Sequence, residues 1–283
     1  MDIEASNNEY SLISSYIYNI SGIVIAPEKY YLIDTRLTKL MLDSGANDFG
    51  EYYNIISHGD PETDRKLINA ITVNETFWFR DALLWKCIER EILPGFVEQL
   101  RSGKANRIRI WSAAASTGQE AYSIAMCIDN YLQRNNIKDI TLSDFDILAT
   151  DISSRVLEIA KEGRYDNISM TRGLSEHYKA AYFKNSGSVW DLDPAIKNAV
   201  RFQHFNLHDS YTGFGKFDII FCRYVLIYFS GDLKTKIVGK MKEILTDDGV
   251  LFTGVYVLSN MIMDIFNAKT YENLTYYTKP LPG

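Results

Sequence analysis

The sequence predicts an α/β protein: a doubly wound, mainly parallel sheet preceded by a smaller all-helical unit. Three observations carry this. From residue 107 onward, short apolar runs alternate with amphipathic stretches, the rhythm of strand–helix–strand units. The run Phe217-Asp218-Ile219-Ile220-Phe221-Cys222 is nearly all apolar, as a strand covered on both faces must be. Before residue 73 the only periodicity is helical, and glycine and proline punctuate it.

Residues 10–25 read as a helix whose pattern fails at Gly22. Residues 30–44 read as a second, with Leu32, Leu37, Leu40 and Leu42 apolar, Asp34, Arg36, Lys39 and Asp43 polar, and Gly45 as its stop. Segments 49–57 and 62–72 read as two more, parted by His58-Gly59-Asp60-Pro61. Strands are expected at 108–112, 144–150, 201–205, 217–222 and 249–254, and helices at 118–134, 153–163 and 231–245. The segment 166–200 breaks this rhythm with turn formers, aromatics and charges, and reads as an inserted subdomain or lid. The expected organisation is a helical unit at 1–72, a connecting, ligand-contacting segment at 73–106 and an α/β domain at 107–283.

Composition narrows the function. Hydrophobic residues at 46% and charged residues at 23% suit a soluble globular chain. A formal charge of −6 disfavours nonspecific binding to nucleic acid or anionic membrane. Up to Arg80 there are twelve acidic residues against six basic ones, which accounts for the whole net charge. The three cysteines, Cys87, Cys127 and Cys222, are far apart in apolar surroundings with no metal-ligand spacing, and read as reduced core thiols. The start, MDIEASNNEY, has no basic region followed by an apolar run, and no stretch approaches membrane-spanning length. The expected location is the cytoplasm.

The segment RIRIWSAAASTGQEAYSIAM, 107–126, is a buried strand that stops in small residues and restarts as a helix. Its single glycine, Gly118, fits neither a GxGxxG turn nor a GxxxxGK[ST] loop, which disfavours a pyrophosphate ligand. A bulky phosphate-free ligand, or a tight structural connection, is left. The next strand ends in DILATD at Asp151, thirty-three residues beyond Gly118. An acid there can grip a paired ribose hydroxyl or cap the following helix; beside such a loop, ribose is preferred. Together they point to an adenosine-type ligand, as in dehydrogenases and methyltransferases.

In NETFWFR, Asn74 and Thr76 are expected to cap a helix beginning near Phe77. Arg80 follows three aromatics; it could pair with Asp81 or Asp151, stack on a ring, or meet an anionic substrate. In IIFCRYVLIYF, Arg223, Tyr224 and Tyr228 follow the end of a major strand, the usual edge of the ligand crevice. Tyr228 offers a hydroxyl, and Tyr224 a ring able to stack on a flat ligand. The four histidines form no HExxH motif and no Ser-His-Asp arrangement declares itself, so metal-dependent and hydrolytic chemistry score low.

NETFWFR, WSAAASTGQEAYSIAM, ATDI, FQHFNL and FCRYVLIYF, in that order over 74–254, closely resemble the blocks of the chemotaxis receptor methyltransferases, the CheR family. The resemblance implies a class I methyltransferase fold with an all-helical N-terminal domain and a small insertion. It implies transfer of methyl from S-adenosyl-L-methionine to glutamates on the cytoplasmic helical region of chemoreceptors or a related signalling protein, leaving S-adenosyl-L-homocysteine. By motif, Asn74, Thr76, Arg80, Ala114, Gly118, Glu120, Asp151, Asn206, Leu207, Arg223 and Tyr224 resemble the cofactor-pocket residues. Arg80 and Tyr228 resemble the pair that places the substrate carboxylate. No metal, nucleic acid or membrane insertion is implied, and a monomer is preferred. Departures are Ala115, Gln119, Ala121, Ser230, Tyr224 in place of an asparagine, and Gly254-Val255-Tyr256-Val257. The second helix, positive and receptor-docking in relatives, is here mixed in charge. Two other readings stay open: methylation of another bacterial protein, and a cofactor-binding module without turnover.

Overall fold

A computed structural model of the 283-residue chain describes residues 4–254 and 259–280. Four helices come first: α1 (Asn7–Ser21), α2 (Tyr31–Asp43), α3 (Phe49–Ile56) and α4 (Pro61–Ile71). Their ends follow from local chemistry. Ser6 and Glu9 form a reciprocal capping box on α1, Gly22 closes it at φ +75°, and Asp48 and Asp60 cap α3 and α4. Ile13, Ile17, Ile33, Leu37, Met41, Phe49 and Leu67 are the apolar stripes of these helices and form one core. Arg36 of α2 is partly buried. Its Nη1 donates to the carbonyls of Ile71 (2.7 Å) and Thr72 (3.3 Å) at the end of α4, where free carbonyls attract a cation. Lys39 pairs with Asp43 at 2.5 Å.

The connecting segment corrects one expectation. No helix starts near Phe77; residues 74–81 are irregular and α5 spans Ala82–Cys87, followed by a π-helical turn (Ile88–Ile92) and α6 (Leu93–Arg101). Asn74 turns its amide to the Thr72 hydroxyl at 3.4 Å instead of capping. The reason is competition for side chains. Trp78 is fully buried and donates to the Ser169 carbonyl, while the Phe79 amide donates to Ser123 Oγ. These partners pull successive residues in directions that a helix would not allow.

Then follow β1 (Ile108–Ala113), α7 (Gln119–Arg134), β2 (Phe145–Asp151), α8 (Ser154–Glu162), β3 (Arg164–Asp166), α9 (Glu176–Tyr182), β4 (Phe183–Asn185), β5 (Val189–Leu192), α10 (Pro194–Asn198), β6 (Val200–His204), β7 (Phe217–Phe221), α11 (Gly231–Ile244), β8 (Leu245–Phe252), α12 (Ser259–Met263), β9 (Asn267–Tyr271) and β10 (Leu274–Thr278). The main sheet runs β6-β2-β1-β7-β8-β10-β9, parallel as far as β8. β10 is antiparallel to both its neighbours. Strand order reverses between β1 and β7, so a crevice opens beyond their carboxyl ends. The expected doubly wound sheet is present. The β9–β10 hairpin carries no apolar run, since β9 is exposed almost throughout.

β3, β5 and β4 make a separate three-stranded antiparallel sheet between α8 and β6. It grips the connecting segment through Trp78, whose ring meets Tyr165 and Phe183 edge-on at 4.8 and 5.1 Å. Cys87, Cys127 and Cys222 are buried and unpaired, and burial pushes the Cys87 thiol up to about 11. Among the described residues, no helix is long and apolar enough to cross a membrane.

Gly173 marks the tightest point of this grip. It sits at φ +78°, and a Cβ there would lie 1.8 Å from the Trp78 carbonyl oxygen. Gly173→Ala should lower stability by about 2–4 kcal/mol in urea unfolding. Gly95→Ala, in open space on α6, should be neutral or stabilising by up to about 1 kcal/mol. Equal effects of the two would contradict the close approach.

Candidate active site

The site is built first by the turn after β1. Ala114 and Ser116 lie at φ +63° and +52°, and Gly118 at +94°. Small side chains are needed there because the turn folds onto the tip of β2. The Ala115 amide donates to the Thr150 carbonyl, and Ser116 N–H donates to Asp151 Oδ2, both at 2.9 Å. Asp151 Oδ1 accepts the Ser153 amide at 2.9 Å. Asp151 is therefore not the cap of α8; Ser153 is. Burial pushes the Asp151 carboxyl upward, against its backbone hydrogen bonds. Ser116 Oγ donates to the Asn74 carbonyl at 2.9 Å and so ties the connecting segment to the turn.

Arg223, after β7, forms the floor. Its side chain is 3% exposed, with Nη1 on Glu120 at 2.7 Å and Nη2 on Asp81 at 2.6 Å and on the Arg80 carbonyl at 2.8 Å. Burial opposes its charge, yet Glu120 and Asp81 hold its pKa above the ordinary value. Glu120 also accepts Ser112 Oγ at 2.7 Å, and Asp81 also accepts the Tyr224 hydroxyl at 2.5 Å. Burial and Asp81 push the Tyr224 phenol upward. The Tyr224 ring does not lie open as a stacking platform. The Arg80 guanidinium carbon sits 3.5 Å from its centroid, with Phe77 at 5.3 Å. Of the possibilities for Arg80, the structure places it on a ring; Asp81 and Asp151 are engaged elsewhere.

These elements enclose a cavity of about 270 Å³, just below the roughly 300–1,000 Å³ of small-molecule sites. Asn74, Thr76, Arg80, Ala114, Glu120, Asp151, Asn206, Leu207, Arg223, Tyr224 and Tyr228 all line it. Gly118 does not. A Cβ on it would meet Ala160, Tyr122 and Phe202 at 3.0–3.3 Å, so it serves packing against α8 and β6. The Asn206 amide is occupied structurally: it donates to the Ile20 carbonyl and accepts the His208 amide. Tyr228 is half-buried, and burial with the nearby Glu75 pushes its phenol upward. Its carbonyl accepts the Val24 amide at 2.9 Å, which brings the N-terminal unit to the site.

Ser21, Ile23, Ile71 and Thr72 of that unit line the same cavity. Nothing in their local sequence marks them. Asp81 was legible only as a neighbour of Arg80; its partner Arg223 lies 142 residues away. Val255, Tyr256 and Val257 of the divergent segment lie outside the described residues. Among the described non-glycine residues, Phe79, Asp81, Ala114, Ser116 and Tyr224 are five of the seven with positive φ. Such strain is stored where surrounding structure over-determines the backbone, commonly at functional sites.

Family models match most of the chain: "CheR methyltransferase, all-alpha domain" over 8–72 and "CheR methyltransferase, SAM binding domain" over 74–265. Chemotaxis protein methyltransferase 1 of Pseudomonas aeruginosa is 38% identical over 263 residues, 93% of this chain and 94% of that one. Chemotaxis protein methyltransferase Cher2 of Pseudomonas putida is 37% identical, with the same coverage of each chain. A chemotaxis protein methyltransferase of Borreliella burgdorferi is 32% identical over 90% of this chain and 89% of its own. The α/β sheet with its acid-tipped second strand, the helical unit in front and these matches agree: the chain belongs to the CheR family of S-adenosylmethionine-dependent methyltransferases.

Proposed function

We propose that the cavity holds S-adenosylmethionine against the β1 turn and Asp151, with its reacting end toward Arg80 and Tyr228, where a receptor glutamate enters. The reaction is methyl transfer from S-adenosylmethionine to glutamate side chains of chemotaxis receptors. A cytoplasmic location and a receptor helical region as partner go with this reading. It treats 1–72 as a helical domain, 73–106 as the connecting segment, 107–283 as the methyltransferase domain and 166–200 as an inserted subdomain.

The residues present fit this ligand. Three lining acids, Glu75, Glu120 and Asp151, face two lining arginines, Arg80 and Arg223, which leaves a net negative wall for a cationic ligand. Each Asp151 oxygen accepts one of the backbone bonds to Ser116 and Ser153. Each keeps a lone pair for a hydroxyl. The single observation that carries the reading is Arg80. Its guanidinium lines a cavity with three acids, yet among the described residues it pairs with none of them.

When bound, the sulfonium supplies an electrophilic methyl group. A glutamate carboxylate is already ionised near neutral pH, so no strong general base is needed. What matters is alignment and a dry approach. Arg80 can hold one carboxylate oxygen through its donor fork. Tyr228, with its phenol pushed upward, stays neutral at working pH and can donate to the other. Ile23, Val225 and Ile227 supply apolar wall. α2, with Arg36 bonded to the end of α4 and the exposed Lys39 paired with Asp43, offers little net positive charge to a receptor.

Incubation with methyl-labelled S-adenosylmethionine and a receptor cytoplasmic fragment should place base-labile label on receptor glutamates. Base-stable label, or none, would count against the assignment. Tyr228→Phe should slow transfer about 10-fold while leaving cofactor affinity within about threefold, as for one lost hydrogen bond to a charged group. Arg80→Ala should cost about 100-fold or more. Unchanged turnover in either variant would remove the role given to that residue.

A further inference from the structure

We infer that Tyr224 is a positioning residue: its ring holds the Arg80 guanidinium at the cavity wall and leaves the guanidinium's donors open to the acceptor carboxylate. This rests on the reading that Arg80 receives that carboxylate.

Tyr224 stands at φ +60°, a backbone region costly for a bulky residue and better suited to asparagine. Its side chain is held from several directions. The hydroxyl donates to Asp81 at 2.5 Å and the Arg80 guanidinium lies over the ring face. Gly254, at φ +76°, backs the ring so closely that a Cβ there would come within 3.3 Å of Tyr224 Cζ. The ring face beneath Arg80 is therefore closed to a purine.

The arrangement solves an electrostatic problem. Glu75, Glu120 and Asp151 line the same cavity, and Asp81 is the next residue in the chain. Any of them, paired with Arg80, would have to be displaced by an incoming carboxylate. Asp81, at φ +65°, is instead directed to Arg223 and to the Tyr224 hydroxyl. Glu120 is taken by Arg223 and Ser112. Asp151 is taken by backbone amides. A neutral π-face then fixes the guanidinium by its flat side, and in-plane N–H donors are not consumed by a ring contact. Asp81 couples this to the buried floor, since one of its oxygens, Oδ2, receives both Arg223 and Tyr224.

The test uses the full chain, a receptor cytoplasmic fragment and titration with S-adenosylhomocysteine. Tyr224→Phe keeps the ring but loses the hydroxyl bond to Asp81, and should show a partial loss of about threefold in kcat/KM for the receptor. Tyr224→Leu should fall about 10-fold or more, with S-adenosylhomocysteine affinity within about threefold. Should the leucine variant fail to fold, Tyr224→Asn, which suits the left-handed backbone, should show the same loss. In an Arg80→Ala background, removing the ring should cost no more than about a further twofold. The inference is overturned if Leu or Asn matches wild type, if Phe falls as far as Leu, or if the loss persists undiminished without Arg80. A wild-type chain that labels no receptor glutamate contradicts the parent reading and this inference with it. A labelling wild type matched by the ringless variants contradicts this inference alone.

Discussion

A single buried guanidinium, that of Arg223, joins the three parts of the chain that make the cavity. It reaches Asp81 and the Arg80 carbonyl on the connecting segment, and Glu120 on α7, from the loop after β7. Burying a charge is unfavourable unless every face of it is satisfied, and truncating one partner of such a pair typically costs about 3–5 kcal/mol. With two carboxylates and a carbonyl around it, Arg223 stays charged and cannot leave without depriving both acids of their ion pair. The strained backbone of Phe79, Asp81, Ala114, Ser116 and Tyr224 surrounds this network. At about 1–3 kcal/mol per strained residue, those conformations persist because the ion network and the turn's bonds to Thr150 and Asp151 leave no relaxed alternative.

The two arginines of the site divide the work between them. Arg223 is saturated by acids and builds the wall; Arg80 touches aromatic rings and keeps its hydrogen-bonding capacity. Tyr224, one of the departures from the family blocks, supplies the ring that separates these roles. It leaves the ligand-facing surface of Asp151 and the β1 turn untouched. Distance in sequence hides this logic, because neighbours Arg80 and Asp81 are sent to opposite partners by the positive φ of Asp81.

Much of the α/β core was legible, because strands such as β7 are buried on both faces and therefore apolar throughout. The ordered blocks also located most of the cavity wall. What escaped has physical causes. Asn74 and Thr76 looked like caps, but Trp78 and Phe79 find tertiary partners that outweigh local helix formation. β9 and β10 form an edge hairpin whose pairing does not depend on a continuous apolar run. Gly118 lies outside the cavity lining, and its missing Cβ makes room for Ala160, Tyr122 and Phe202, neighbours that its local sequence does not show. Ile23 enters the wall through a bridge to Phe229, a long-range pairing without local signal.

Where the cofactor sits relative to these groups is tested most directly by a crystal structure with S-adenosylhomocysteine bound. The predicted result places the ribose hydroxyls within hydrogen-bonding distance of Asp151, the sulfur facing Arg80 and Tyr228, and the Arg80 guanidinium still on the Tyr224 ring. A ligand whose adenine displaces Arg80 from Tyr224, or whose ribose lies away from Asp151, would contradict it.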